Sequence, residues 1–353
     1  MTRVLVAMSG GVDSSVAAAR LLAEGYEVVG ATLHLWDYPD DETVAGRCCA
    51  PEDVHDAGRV AAQLGIPHYS FDRRELFRER IVEPFVTAYL DGETPSPCVY
   101  CNRQIKIAEL LRIARRLGAD VVATGHYARI VEGAGGLELH RGRDASKDQS
   151  YFLHTYLGDD LKHLLFPLGD CTKAEIRAEA AKIGLFGAEK GESQELCFVP
   201  TGRYDAFVSA HADGRIRPGV IVDDSGKALG AHEGIHQFTV GQRRNIGVAT
   251  GQRVYVTDID RDSGRVTVGD RSKLFRKEAQ VCDVVLAQDM ALPAAVSCVI
   301  RYRGQNHQAV VEPSEDGVTV RFSAEVAAVV NGQFAVFYCG ERVVGGGRIA
   351  SSR

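Results

Sequence analysis

Two groups of residues in this 353-residue chain have the types and spacing for chemistry. The first is Ser9-Gly10-Gly11-Val12-Asp13-Ser14-Ser15. Adjacent glycines let a backbone pass close to a ligand and turn its N–H groups toward an anion. Three hydroxyls accompany them, and Asp13 offers a carboxylate for Mg²⁺ or a ligand hydroxyl. A helix starting near Ser14 would add the positive end of its dipole. The segment has neither the G-K-[S/T] of a Walker A loop nor a G-x-G-x-x-G dinucleotide fingerprint, so it reads as a phosphate loop of another kind.

The second group is sulfur. Nine cysteines stand at 48, 49, 98, 101, 171, 197, 282, 298 and 339. Pro95-Ser96-Pro97-Cys98-Val99-Tyr100-Cys101 leads into an amphipathic run, so Cys101 is expected at or just before a helix N-terminus. Arg103 and Lys106 lie close by, and both effects favour a thiolate. The two prolines are expected to keep the approach out of the helix. Cys197 follows a glycine-rich stretch (Gly184, Gly187, Gly191) that reads as a loop able to deliver a sulfur.

Three readings stay open for Cys98, Cys101 and Cys197. One is a reactive pair, Cys101 and Cys197. Another is an iron–sulfur cluster on all three, with one iron left open to a ligand. The third is a structural zinc, disfavoured because zinc wants four ligands and the chain has no second C-x2-C. Cys48 and Cys49 read as loop or structural residues, and the other four as core.

The elements that must position these groups follow from periodicity. Val4–Ala7, Val28–Leu35, His68–Asp72 and Asp120–Thr124 read as strands. They alternate with helical runs at Val16–Ala23, Asp53–Leu64 and Ile105–Leu117. Such alternation implies a parallel sheet covered by helices, hence an α/β domain over residues 1–205. Beyond it come short β-branched runs at Val254–Ile259, Arg265–Val268, Val296–Tyr302, Ala309–Val311, Val318–Phe322 and Phe334–Tyr338. Turn signals at Asp224-Ser225-Gly226, Asp262-Ser263-Gly264, Asp316-Gly317 and Asn331-Gly332 separate them. Two small antiparallel β-barrel-like domains are expected, over 206–276 and 277–353.

Composition sets the outer bounds. The chain is 45% hydrophobic and 25% charged, which excludes disordered, collagen-like and coiled-coil chains. No run approaches the ~18 apolar residues of a membrane span, and the N-terminus reads as a strand rather than a leader. A reducing, cytoplasmic setting without a membrane partner is expected.

The net charge of −6 argues against a surface that coats nucleic acid. Its distribution is uneven. Residues 1–200 hold 22 Lys+Arg and 30 Asp+Glu, whereas the remaining 19 and 17 leave the second part at +2. Within 241–277, nine basic residues face four acidic ones, a local excess that suits a few phosphate contacts.

The phosphate loop resembles that of the N-type ATP pyrophosphatases of the PP-loop superfamily. Further segments resemble the tRNA-specific 2-thiouridylase family across essentially the whole chain. They are C-V-Y-C-N-R-Q-I-K-I from Cys98, T-G-H-Y-A-R from Thr124 and K-D-Q-S-Y-F-L from Lys147. S-Q-E-L-C-F-V-P from Ser193, G-I-H-Q-F-T-V-G-Q-R-R-N-I-G from Gly234 and G-G-G-R-I from Gly345 complete the set. Asn245 stands where that family usually has glycine.

The resemblance implies an adenine-nucleotide-hydrolase-like catalytic domain followed by the two β domains. It implies ATP-dependent replacement of the wobble uridine 2-oxygen of tRNA by sulfur. The oxygen would be adenylated, with AMP and pyrophosphate released. Cys197 would carry sulfur as a persulfide received from a cysteine desulfurase or a relay protein, and Cys101 would be the partner nucleophile. An iron–sulfur cluster on Cys98, Cys101 and Cys197 is the alternative sulfur carrier. A different adenylating enzyme, such as an amidotransferase synthetase subunit, would not need the two thiols.

ATP with Mg²⁺ would be held by Ala7, Met8, Ser9, Gly10, Gly11, Val12, Asp13, Ser14, Leu33 and Gly125. Ser96, Pro97 and Cys98 would lie by the target base. His126, Lys147, Asp148, Gln149, Arg301, Tyr302 and Gln333 would contact tRNA. Read without the resemblance, His126 is a structural histidine, Lys147 a solvated lysine and Gln333 a polar turn residue.

Overall fold

The computed structural model describes residues 1–37, 51–188, 196–199 and 202–352. Cys48 and Cys49 lie outside them. Strands β1 (Arg3–Ala7), β2 (Glu27–His34), β3 (His68–Asp72) and β4 (Val121–Ala123) match the four expected from sequence to within about one residue. With β7 (Leu164–Leu165) they form one sheet in the order β3-β2-β1-β4-β7, every pair parallel.

Side chains alternate across that sheet. Val4 and Val6 enter a core with helices α1 (Val12–Ala23) and α2 (Pro51–Leu64), while Leu5 enters a second core on the opposite face. That second core also takes in Phe77 to Tyr89 and Val99 to Ala114. The chain leaves β1 toward β2 on one side, and β4 flanks β1 on the other. This reversal point, at the carboxyl ends of the strands, is where open α/β sheets leave a crevice.

The hairpin β5 (Ala128–Gly133) and β6 (Gly136–Arg141) breaks the strand–helix rhythm. It leaves the parallel-sheet domain and pairs with the C-terminal part of the molecule at Arg342↔His140. No periodicity distinguishes it from the neighbouring strands, and its partner lies about two hundred residues further on, which is why sequence alone does not place it.

The remaining strands form two units. β8 (Gly219–Asp223), β9 (Ala228–His232), β10 (Tyr255–Asp260) and β11 (Arg265–Gly269) make a sheet in the order β10-β11-β8-β9. The β8–β11 pairing is parallel, a departure from the purely antiparallel expectation. Asn245, in the loop before β10, adopts φ 59°, a left-handed backbone that asparagine tolerates.

β12 (Phe275–Leu286), β13 (Ala294–Val299), β14 (His307–Ser314), β15 (Gly317–Ala327), β16 (Phe334–Cys339) and β17 (Arg342–Ser352) close into a barrel through β12–β17. All four turn signals sit between strands, with Gly226, Gly264, Gly317 and Gly332 at positive φ. β8, β9, β12 and β17 were not evident in sequence. β12 mixes charges with apolar residues, and β17 is built around three glycines.

The domains share a core. Val299, Phe334, Val336, Tyr338 and Val343 of the barrel belong to the same apolar cluster as Phe85, Cys101 and Leu110 of the parallel-sheet domain.

Candidate active site

The phosphate loop is built from β1 and α1. Gly10 has φ +71°, and a Cβ there would lie 2.5 Å from the Asp53 carbonyl oxygen, so only glycine fits. Gly11 caps α1. Ser14 Oγ accepts from Ser9 N (3.1 Å) and donates to the Gly11 carbonyl (3.0 Å). Ser15 Oγ donates to the same carbonyl at 3.0 Å. Gly125, after β4, lets the backbone approach so closely that a Cβ would meet Asp13 C and Ser14 N at 3.0 Å.

Asp13 is engaged by residues far away in sequence. Lys173 Nζ donates to both carboxylate oxygens at 2.7 Å, and Tyr127 OH donates to Oδ1 at 2.8 Å. Lys173 is buried and opens the helix Lys173–Lys182, which a Thr172/Glu175 capping box starts. Its backbone N donates to Asp144 Oδ2 at 2.9 Å. Sequence reading missed Lys173. The T-x-x-E capping signature at Thr172 could have located its helix, but nothing in the sequence aims Lys173 at Asp13.

A cleft of about 210 Å³ opens beside this loop. Of the expected ATP residues, Ala7, Met8, Ser9, Asp13, Ser14, Leu33 and Gly125 line it. Gly10 is buried within the loop and Val12 at the start of α1 instead, and Gly11 serves as the cap. Thr32, Lys106, Leu110, Thr124, His126 and Gln149 line it as well. His126 thus faces the cleft. Its Nδ1 pairs with Thr124 Oγ1 at 2.7 Å. Burial, assisted by the Lys106 charge, pushes its pKa down to about 3, so the ring is neutral near pH 7. Gln149 is pinned to Tyr127, its Oε1 accepting from Tyr127 N at 3.0 Å.

The cysteine helix starts earlier than expected. Pro97 is its first residue and Ser96 its N-cap, so Pro97 begins the helix rather than holding the loop out of it. Cys98 lies in the first turn and Cys101 one turn further in, where the dipole has weakened. Residues Cys101–Lys106 form a π-helical stretch, a distortion common at functional positions, before the α-helix Ile107–Arg116. Tyr156 OH donates to the carbonyls of Asn102 and Arg103, each at 3.2 Å.

Cys101 is buried and Cys98 partly exposed. Cys197, partly exposed, packs on the same apolar cluster that contains Cys101. Its neighbour Phe198 anchors it among Phe85 (5.1 Å), Phe207 (5.3 Å), Phe77 (5.6 Å) and Trp36 (6.4 Å).

The implied cofactors fit unequally. Among the described residues no three His, Cys, Asp or Glu side chains are grouped to hold a metal ion, so the three-cysteine ligand set of a cluster is not assembled. The Asp13 carboxylate is already neutralised by Lys173 and offers no open charge to Mg²⁺.

Of the residues expected at tRNA, His126 and Gln149 line the cleft, and the others fall in two further places. Asp148 shapes a turn, accepting from Gly142 N (3.0 Å) and Ser150 Oγ (3.0 Å) and pairing with Arg141 (3.2 Å). Lys147 is half-buried beside it. Tyr302 packs on Phe152 at 4.3 Å, and Arg301 next to it is exposed. Gln333 is in the second place, where its Nε2 donates to Thr94 O at 2.8 Å, close in sequence to Ser96, Pro97 and Cys98.

Three family models match the chain in series. They are a tRNA methyl transferase HUP domain over residues 2–201, a tRNA methyl transferase PRC-barrel domain over 205–270 and an aminomethyltransferase beta-barrel domain over 276–349. A tRNA-specific 2-thiouridylase of Sorangium cellulosum is 57% identical over 356 residues, spanning 99% of this chain and 92% of its own. One from Rickettsia prowazekii is 44% identical over 361 residues, spanning 100% and 99%.

Proposed function

The chain belongs to the tRNA-specific 2-thiouridylase family, and from that premise we propose that it thiolates the 2-position of the wobble uridine in tRNA at the expense of ATP. The observation that carries this reading is the placement of two thiols, Cys101 and Cys197, on one apolar cluster of a domain whose crevice holds a phosphate loop. The domain descriptions mention methyl transfer. A sulfonium methyl donor needs neither a phosphate loop nor a thiol pair, so these features favour sulfur.

The uridine 2-oxygen attacks the α-phosphorus of ATP, and pyrophosphate leaves. The phosphate loop N–H groups and α1 hold the departing phosphates, which stabilises the developing charge. C2 of the base now bears AMP, a far better leaving group than oxide.

The terminal sulfur of a Cys197 persulfide bonds to C2, and AMP leaves. The Cys101 thiolate then attacks Cys197 Sγ, breaking the S–S bond. The thiolated base is freed, and the two cysteines end as a disulfide that an external thiol must reduce. The transferred sulfur is reduced as the two thiols are oxidised, so electrons balance. Burial of Cys101 and the aromatic wall around Phe198 exclude water, which would otherwise hydrolyse the adenylated base.

The test is a reconstitution with purified protein, a tRNA transcript bearing a wobble uridine, ATP and a persulfide-loaded donor. Thiolated tRNA is expected with equimolar AMP and pyrophosphate. Thiolation that proceeds without ATP, or that releases ADP, contradicts the reading.

A further inference from the structure

Asp13 poses an electrostatic problem. It stands in the first turn of α1, on the wall of the cleft where the phosphates of a nucleotide would lie. An uncompensated carboxylate there would repel the triphosphate. The remedy comes from elsewhere in the chain. Lys173 Nζ sits 2.7 Å from both carboxylate oxygens, and Tyr127 OH fixes Oδ1 at 2.8 Å. Lys173 is 7% exposed, and its side chain reaches Asp13 from the first position of its own helix. The capping box at Thr172 and the bond from Lys173 N to Asp144 fix that position (2.9 Å). Burying the ammonium end of this ion pair is costly unless geometry is good, and here the carboxylate, 31% exposed, receives three donated hydrogen bonds.

We propose that Lys173 is a positioning residue of the adenylation site, which cancels the Asp13 charge and locks its carboxylate so that the loop meets the triphosphate as a purely positive N–H surface. The proposal rests on the reading of the crevice as an ATP site. It assigns to Lys173 no contact with the reacting atoms. Tyr127 does the geometric half of the task and Lys173 the electrostatic half.

Charge cancellation predicts a reciprocal pattern that a merely structural lysine would not give. Lys173→Met leaves the Asp13 charge unopposed, so ATP binding weakens by about tenfold or more. Adenosine, which carries no phosphate, binds as to the unaltered protein. Adding Asp13→Asn to Lys173→Met removes the repulsion and restores ATP binding to near the original value, since Asn still accepts from Tyr127. The double variant removes both charges of the Asp13–Lys173 pair, so it tests the idea even where Lys173→Met does not fold.

The experiment is calorimetric titration of the full chain and the variants with ATP and with adenosine. Parallel losses for ATP and adenosine in Lys173→Met overturn the proposal, as does a double variant that still binds ATP about tenfold more weakly than the unaltered protein. If the unaltered protein binds neither ligand, the ATP reading fails instead, and the two failures are thereby distinguished.

Discussion

The phosphate side and the thiol side of the catalytic domain use opposite physics. Around the phosphate loop, polar groups are paired and fixed: Ser9, Ser14 and Ser15 bond within the loop, and Asp13 is held by Lys173 and Tyr127. Around the thiols the environment is apolar and aromatic, with Cys101 and Cys197 against the cluster of Phe85, Phe198 and Val99. Adenylation develops charge on phosphates and needs fixed dipoles in place beforehand. Sulfur transfer needs protection from water and freedom for one sulfur to reach another atom. The helix Pro97–Arg116 joins the two, since Lys106 and Leu110 line the cleft while Cys101 lies one π-helical stretch before them.

Substitutions should separate the two sides. The largest effect is expected for Cys197→Ser, which abolishes thiolation and leaves ATP binding intact. Measurable thiolation by that variant, assayed by retardation of tRNA on a mercury gel, would remove the persulfide role. Next is Gly10→Ala. Its Cβ would meet the Asp53 carbonyl at 2.5 Å in a left-handed backbone, so ATP binding should fall about a hundredfold. Unchanged binding by calorimetry would show that the loop adapts.

Phe198→Ala should destabilise the domain by about 3 kcal/mol by opening a cavity in the aromatic wall. Chemical denaturation measures that loss. Thiolation should fall further than ATP affinity does, and equal losses would mean that the two sides are not separable.

Acid should weaken the molecule through its histidines. Burial pushes His154 down to about 4, from an ordinary value near 6.5. Between those values the unfolded chain binds a proton that the folded chain refuses, so stability falls as pH falls through that window. From pH 7 to pH 5, His154 alone should account for about 2 kcal/mol, read from urea unfolding at the two pH values. A flat profile would show that the ring protonates in place. The smallest effect belongs to the surface. Arg301→Ala should lower the slope of log tRNA affinity against log salt by about 1 without altering ATP binding. An unchanged slope would place Arg301 away from the phosphates.

Sequence alone determined the elements whose signals are local. Alternating apolar runs located β1 to β4 and α2 nearly to the residue, because strand and helix periods are written in consecutive side chains. Paired turn residues located the hairpin tips of the β half. The phosphate-loop and cysteine-pair readings rest on residue type, because glycine and thiol chemistry depend on it first. An even smaller matter, the start of the cysteine helix, was misplaced, since Pro97 serves equally as a breaker and as a first helical residue.

Only the tertiary structure decided the rest. It brought Lys173 and Tyr127 to Asp13, turned His126 into the cleft and closed β12 on β17. It also carried the hairpin Ala128–Arg141 across to Arg342. Each of these joins residues tens to hundreds of positions apart. Their pairing energy depends on where the folded chain places them, and no local pattern of side chains encodes it.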